Sequence, residues 1–297
     1  MGEEELRTEG LPELDKPVMV CAFRGWNDGG QGASLACSYL ARAWHAEKFA
    51  DIDPENFFDF QMTRPTVTRA GEGRRIEWPE NSFQHARVGP GSGSGARDAV
   101  LLLGTEPSLR WRSFTAIVTR LAAEMGVSMV VTLGSLLADV PHTRPAPVTA
   151  SATDPDLLEQ LGLSPSRYEG PTGVVGVLLD ACHEAGIPSV SLWAAVPHYV
   201  QLTPSPRAAK ALCDRLAGLL DLPIDTSELD EASEAYIQQV SEAVAADEET
   251  AAYVDELESR AEELEDDLPS GDSLAAELTR YLREREQNGD PPPATEN

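Results

Sequence analysis

Positive charge, cysteine, histidine and long apolar runs are all scarce in this chain of 297 residues, and each shortage excludes a class of function. Twenty-three Lys and Arg stand against 50 Asp and Glu, a net charge of −27. Phosphate backbones and anionic lipid repel such a surface, so neither nucleic acid nor membrane is expected as a partner. No apolar run approaches the roughly 18 residues that a membrane span needs. The opening Met1-Gly-Glu-Glu-Glu-Leu6 lacks an apolar signal core, so a soluble, cytoplasmic protein is expected. The four cysteines, Cys21, Cys37, Cys182 and Cys213, lie in apolar stretches with no CxxC pair and no basic or helix-start setting. They read as reduced core residues rather than nucleophiles or ligands. Five scattered histidines offer no metal-ligand spacing, and neither HExxH nor GxxxxGK[ST] occurs, so no metal and no cofactor is expected.

The acidity that is present is uneven. Residues 1–220 hold 26 acidic and 19 basic side chains, whereas residues 221–297 hold 24 and 4. This asymmetry, with the composition change at Pro223, divides the chain into an acidic leader (1–16), a core (17–222), an acidic helical extension (223–286) and a disordered tail (287–297). In the extension, helices are expected over 226–246, 248–268 and 273–285, with a break at Pro269-Ser-Gly-Asp272. Val254, Leu257, Ala261, Leu264 and Leu268 draw a stripe down the second helix that needs cover from the domain or from another subunit.

Within the core, apolar strand patterns alternate with helical ones. Strands are expected at Val18–Phe23, Ala99–Leu103, Val127–Leu133 and Ser189–Val196, and helices at Ala33–Trp44, Trp111–Met125, Gly173–Glu184 and Pro206–Leu220. Extended pieces are expected within residues 57–78, and a small helical insertion at 154–161. The fold class is therefore α/β, a mostly parallel central sheet covered by helices on both faces, with a C-terminal helical extension. Gly91-Ser-Gly-Ser-Gly-Ala96 matches GxGxxA, but it precedes a strand instead of following one, so it reads as a loop.

Ligands of an open parallel sheet bind beyond the carboxyl ends of its strands. The segments leaving those ends carry Asn27 and Asp28, Glu106, then Asp139, His142 and Arg144, and finally His198. These side chains should meet at one edge, joined by the helix-start turn Gly170-Pro-Thr172-Gly173, whose N–H groups suit an anion. Asp28, Glu106, His142 and His198 are the candidate acids and bases, and Arg144 the candidate anion ligand. Asn27 and Asp28 serve equally well as helix caps.

At these residues the chain resembles the proteasome assembly chaperone type two family, in its actinobacterial branch. The resemblance rests on Phe23-Arg-Gly-Trp-Asn-Asp-Gly29, Gly104-Thr-Glu-Pro107 with Trp111, Thr132-Leu-Gly134 through Asp139-Val-Pro-His-Thr-Arg144, Gly170-Pro-Thr-Gly173 and Trp193-Ala-Ala-Val-Pro-His-Tyr199. It implies a fold similar to nucleoside phosphorylases and related hydrolases, and self-association with the copy number open, a trimer among the options. The function it implies is a non-catalytic, assembly-chaperone-like interaction protein, with itself and another protein or protein complex as partners. Some archaeal relatives dock on the proteasome through a C-terminal hydrophobic-Tyr-any motif, from which Pro293-Ala-Thr-Glu-Asn297 departs. The alternative is an enzyme acting on a small anionic substrate, a nucleoside or phosphate ester, at the strand-end cluster.

Overall fold

The computed structural model describes residues 5–8, 10–71, 73–88, 97–152, 156–157, 159 and 168–266. Its elements are β1 (Leu6–Thr8), β2 (Val18–Arg24), α1 (Gly32–Ala43), β3 (Glu47–Ile52), β4 (Thr66–Ala70), β5 (Gly73–Glu77), β6 (Asn81–Val88) and β7 (Arg97–Thr105). There follow α2 (Trp111–Glu124), β8 (Met129–Ala138), β9 (Val148–Ala152), α3 (Val174–Glu184), β10 (Ser189–Pro197), α4 (Pro206–Leu220), α5 (Ser227–Ala245) and α6 (Glu248–Asp266).

The central strands are mostly apolar because both faces of the sheet are covered, and the buried hydroxyls Thr132 on β8 and Ser191 on β10 bond each other at 2.9 Å. Side chains alternate across a strand, and β2 divides accordingly: Val18, Val20 and Ala22 join one core cluster, Met19, Cys21 and Phe23 the other. α1 and α4 fill the first face with Ala36, Leu40, Leu212 and Leu216. α2 and α3 fill the second with Phe114, Leu121, Val175 and Leu178. Phe114 stands edge-on to Phe23 at 5.8 Å and to Phe57 at 5.6 Å, tying α2 to the sheet and to the segment after β3. Helix starts are set locally: Ser205 accepts the N–H of Ala208 at 3.3 Å, and Pro206 supplies a pre-set first position to α4.

Strand order in the large sheet is β1-β3-β6-β7-β2-β8-β10-β9. The four middle strands β7, β2, β8 and β10 are parallel, as the alternation of strands and helices implies. The sequence reading did not foresee the wings, where β1, β3 and β6 on one side and β9 on the other run antiparallel to their neighbours. The stretch read as a loose leader contributes β1, whose Leu6–Thr8 pairs with Ile52–Ala50. Phe57-Phe58, read as extended, instead follows a short 3-10 turn at Pro54–Asn56, with both rings buried.

The chain divides into two units, 1–246 and 247–297. The first reaches past the compositional boundary at 222 because α5 packs on the core. Leu229, Tyr236 and Val240 are buried, and Tyr236 donates to the Leu202 carbonyl at 3.2 Å. In the second unit α6 holds Val254 and Leu257 buried. The Leu264 side chain, Leu268, the break at 269–272, the 273–285 helix, the 287–297 tail, the 91–96 loop and most of the 154–161 insertion lie outside the described residues.

Candidate functional site

The parallel strands β7, β2, β8 and β10 end at one edge in two steps, Arg24 level with Thr105, and β8 and β10 running on to Ala138 level with Pro197. Every segment singled out in the sequence therefore leaves the same edge of the sheet. There the side chains separate into distinct hydrogen-bonded groups.

Glu106 is the centre of the first group. Its Oε1 accepts from Asn27 Nδ2 at 2.7 Å and from the N–H of Val174 at 2.8 Å, and its Oε2 accepts from the N–H of Trp26 at 3.2 Å. Val174 is the first residue of α3, so this carboxylate fills the anion position at the helix start to which Thr172 and Gly173 lead. The anion site read from Gly170–Gly173 is thus taken from within the chain. Two glycines permit the approach. A Cβ on Gly173 would collide with Asn27 and Glu106, and Gly25, at φ +136°, turns the chain where a Cβ would press on Glu106 at 3.0 Å. Thr172 itself is exposed, its hydroxyl 3.4 Å from the Gly173 carbonyl.

Asp28 forms the second group. Its Oδ1 accepts from the N–H groups of Ala33 at 2.9 Å and Ser34 at 3.0 Å, the open donors at the start of α1, and from Ser135 Oγ at 3.4 Å. The capping role read for Asp28 is the one its geometry serves. Asn27 Oδ1 and Asp28 Oδ2 are buried without a partner among the described residues. Both are acceptors, so whatever completes them is a donor and not an anion.

His142 is buried at 3% exposure and both its ring nitrogens are engaged. Tyr199 OH lies 2.8 Å from Nδ1 and also 2.8 Å from the main-chain nitrogen of His142, while Nε2 lies 3.0 Å from Ser241 Oγ on α5. The network is satisfied when Tyr199 accepts the main-chain N–H and donates to Nδ1, leaving Nε2–H to donate to Ser241. Arg144 is half-buried, and its carbonyl accepts from the Arg207 guanidinium. Asp139 pairs with His198 at 3.2 Å with both side chains largely in solvent, 70% and 44% exposed. The nine predicted residues therefore lie along one edge in separate groups, with Asp28, Glu106 and His142 bonded to other elements and Asp139, Thr172 and His198 exposed.

What the sequence reading missed on that edge is apolar. Trp26, Leu109, Leu136 and Leu137 are exposed there, Trp26 at 64% and Leu137 at 56%. β8 carries the two leucines out because it continues to Ala138, five residues beyond the end expected at Leu133. The signal was the return of apolar residues at Leu136, Leu137 and Ala138 after Gly134 and Ser135. Among the described residues no group of His, Cys, Asp or Glu is arranged to hold a metal ion. No helix there is long and apolar enough to cross a membrane.

The model of the PAC2 family matches residues 22–244, the span that contains every group above. The crystal structure of a PAC2 family protein from Streptomyces avermitilis is 50% identical, covering 80% of this chain and 99% of that one, with a TM-score of 0.75. A proteasome-assembly chaperone homologue from Mycobacterium tuberculosis is 42% identical over 80% of this chain and 99% of its own, with a TM-score of 0.72. An archaeal proteasome activator from Pyrococcus furiosus, 20% identical over 80% and 97% of the two chains, shares the fold at a TM-score of 0.65. No curated protein matches the chain. Matched over most of its length by the family model and half identical to one family member, the chain belongs to the PAC2 family.

Proposed function

We propose that this chain is a non-catalytic, assembly-chaperone-like protein that self-associates and binds another protein along the carboxyl edge of its parallel strands. The observation that carries this reading is an inversion of what an active site presents. Polar groups turn inward to pin α1, α3 and the 139–144 loop, while Trp26, Leu109, Leu136 and Leu137 face outward. Exposed apolar residues gathered on one edge mark interaction surfaces. The relative from Mycobacterium tuberculosis, a proteasome-assembly chaperone homologue, supports the class of role.

The test uses purified, unassembled Mycobacterium tuberculosis proteasome α-subunits as the probe. The full chain is expected to retain them on a column, and Trp26→Asp with Leu137→Asp is expected to abolish retention without lowering the melting temperature. Retention unaffected by those substitutions, or none with the unaltered chain, would overturn the reading. A thermal-shift panel of nucleosides and phosphorylated metabolites separates it from an enzyme. Flat curves are expected, because a ligand at about 100 times its dissociation constant adds about 2.7 kcal/mol. A shift abolished by Arg144→Ala would favour the enzyme.

A further inference from the structure

β4 and β5 pair with each other in a two-stranded sheet of their own and join neither edge of the large one. All of β5 is exposed, as are Thr66, Val67 and Arg69 of β4. A lone two-stranded hairpin is marginal in water unless something covers a face of it. This one also sets Arg69 directly opposite Arg74, a like-charge pair that weakens it further. Strand alternation, with Val67 opposite Ile76, puts Val67, Arg69, Arg74 and Ile76 on one face. Val67 and Ile76 are 59% and 54% exposed. Arg69 and Arg74 make no ion pair among the described residues. In a chain of net charge −27 the arm from Arg64 to Glu77 carries four arginines and two glutamates. It is an apolar, basic face that calls for an apolar, acidic complement.

The same chain carries that complement. An open groove of about 730 Å³ lies between α1, the turn at 202–204 and α5, walled by Leu35, Leu202, Pro204, Leu229, Ala232 and Tyr236. Beside its lining row on α5, at helical spacing from Ala232 and Ala235, stand Glu231 and Glu242. α5 contains five acidic residues and no basic one. Glu228 is paired with Arg42 and Asp230 with Lys210, whereas Glu231 and Glu242 make no ion pair among the described residues.

We infer that the β4–β5 arm of one copy seats its Val67–Ile76 face in the α1–α5 groove of a second copy, with Arg69 and Arg74 against Glu231 and Glu242. Charge complementarity selects this occupant, and the arm gains the cover it lacks alone. Arm and groove are different surfaces, so the contact is head-to-tail and either closes into a ring or extends. The inference rests on the self-association proposed above and names its surfaces.

The experiment is light scattering on the full chain, unaltered and as Arg69→Glu with Arg74→Glu. The unaltered chain is expected to form one oligomer and the double variant to fall to monomer, with its far-UV circular dichroism spectrum unchanged because all of β5 and most of β4 are exposed in the single chain. Adding Glu231→Arg and Glu242→Arg to the same chain is expected to restore the oligomer. Val67→Cys with Ala232→Cys is expected to give disulfide-linked chains on mild oxidation, since all four native thiols are buried. If the double variant keeps the full oligomer mass, the arm is not the contact, although self-association stands. If that mass is instead lost on Ala232→Arg, at an exposed position of the groove wall, another element of the second copy fills the groove and the arm assignment falls. A monomeric unaltered chain would sink both.

Discussion

Glu106 receives three hydrogen bonds from three segments, and its oxygens offer what an amide cannot. In Glu106→Gln an NH2 group must face at least one N–H donor, which leaves that donor unsatisfied at a cost of about 1–3 kcal/mol. The urea midpoint should fall accordingly; an unchanged midpoint would mean the carboxylate is free for a ligand. Tyr199→Phe should lower it too, because one hydroxyl serves both the main chain and the ring of His142. The cysteines make a second residue-scale case. Burial pushes the Cys37 and Cys182 thiols up from the ordinary 9.0 to about 12, and Cys21 and Cys213 upward as well. A raised folded-state pKa means that the folded protein holds the proton more tightly than the unfolded chain. This contribution to stability is intact below pH 9 and lost progressively between about pH 9 and 12. A thiol reagent at pH 8 should therefore find no reactive cysteine in the native protein and four after unfolding. Burial of all four was legible from their apolar neighbours. The partners of His142 were not, since Tyr199 and Ser241 lie far from it in sequence.

At the scale of elements, α1 begins under a cap four residues before its first helical position. Asp28→Ala leaves the Ser34 donor open and the Ala33 N–H with only Ser135 Oγ at 3.2 Å, and should cost about 0.5–2 kcal/mol, while Asp28→Asn, which keeps an acceptor oxygen, should cost less. Equal losses from the two substitutions would show that the charge, not the cap, matters. Packing sets a larger scale. Phe114→Ala removes the ring that joins α2 to Phe23 and Phe57, and a loss of about 3–5 kcal/mol is expected in equilibrium unfolding. The helices and the four parallel strands were legible because their patterns are local: apolar runs for strands buried on both faces, and one-sided periodicity with caps for helices. The antiparallel wings were not. β3, Glu47–Ile52, begins with two exposed charges, and β6, Asn81–Val88, mixes Asn, Gln, His and Arg with its apolar residues. Pairing with β7 decides that segment, a contact no short window contains.

On the scale of the whole molecule, the strand-end edge was legible as a place but not as a chemistry. The sequence brought Asp28, Glu106, His142 and His198 to one edge. Only the folded arrangement assigns Glu106 to α3, Asp28 to α1 and His142 to α5, and turns Trp26 and Leu137 outward. Self-association through a basic arm and an acidic groove wall carries its own signature. Between 0.1 M and 1 M salt the screening length shrinks from about 10 to about 3 Å, so dissociation should rise with salt. An assembly tightened by salt would point to a purely apolar contact instead. The most direct measurement is the mass of the full chain by light scattering at micromolar concentration. A single species at a fixed multiple of 32.0 kDa is expected, and a particle of 32.0 kDa at every concentration would rule out self-association.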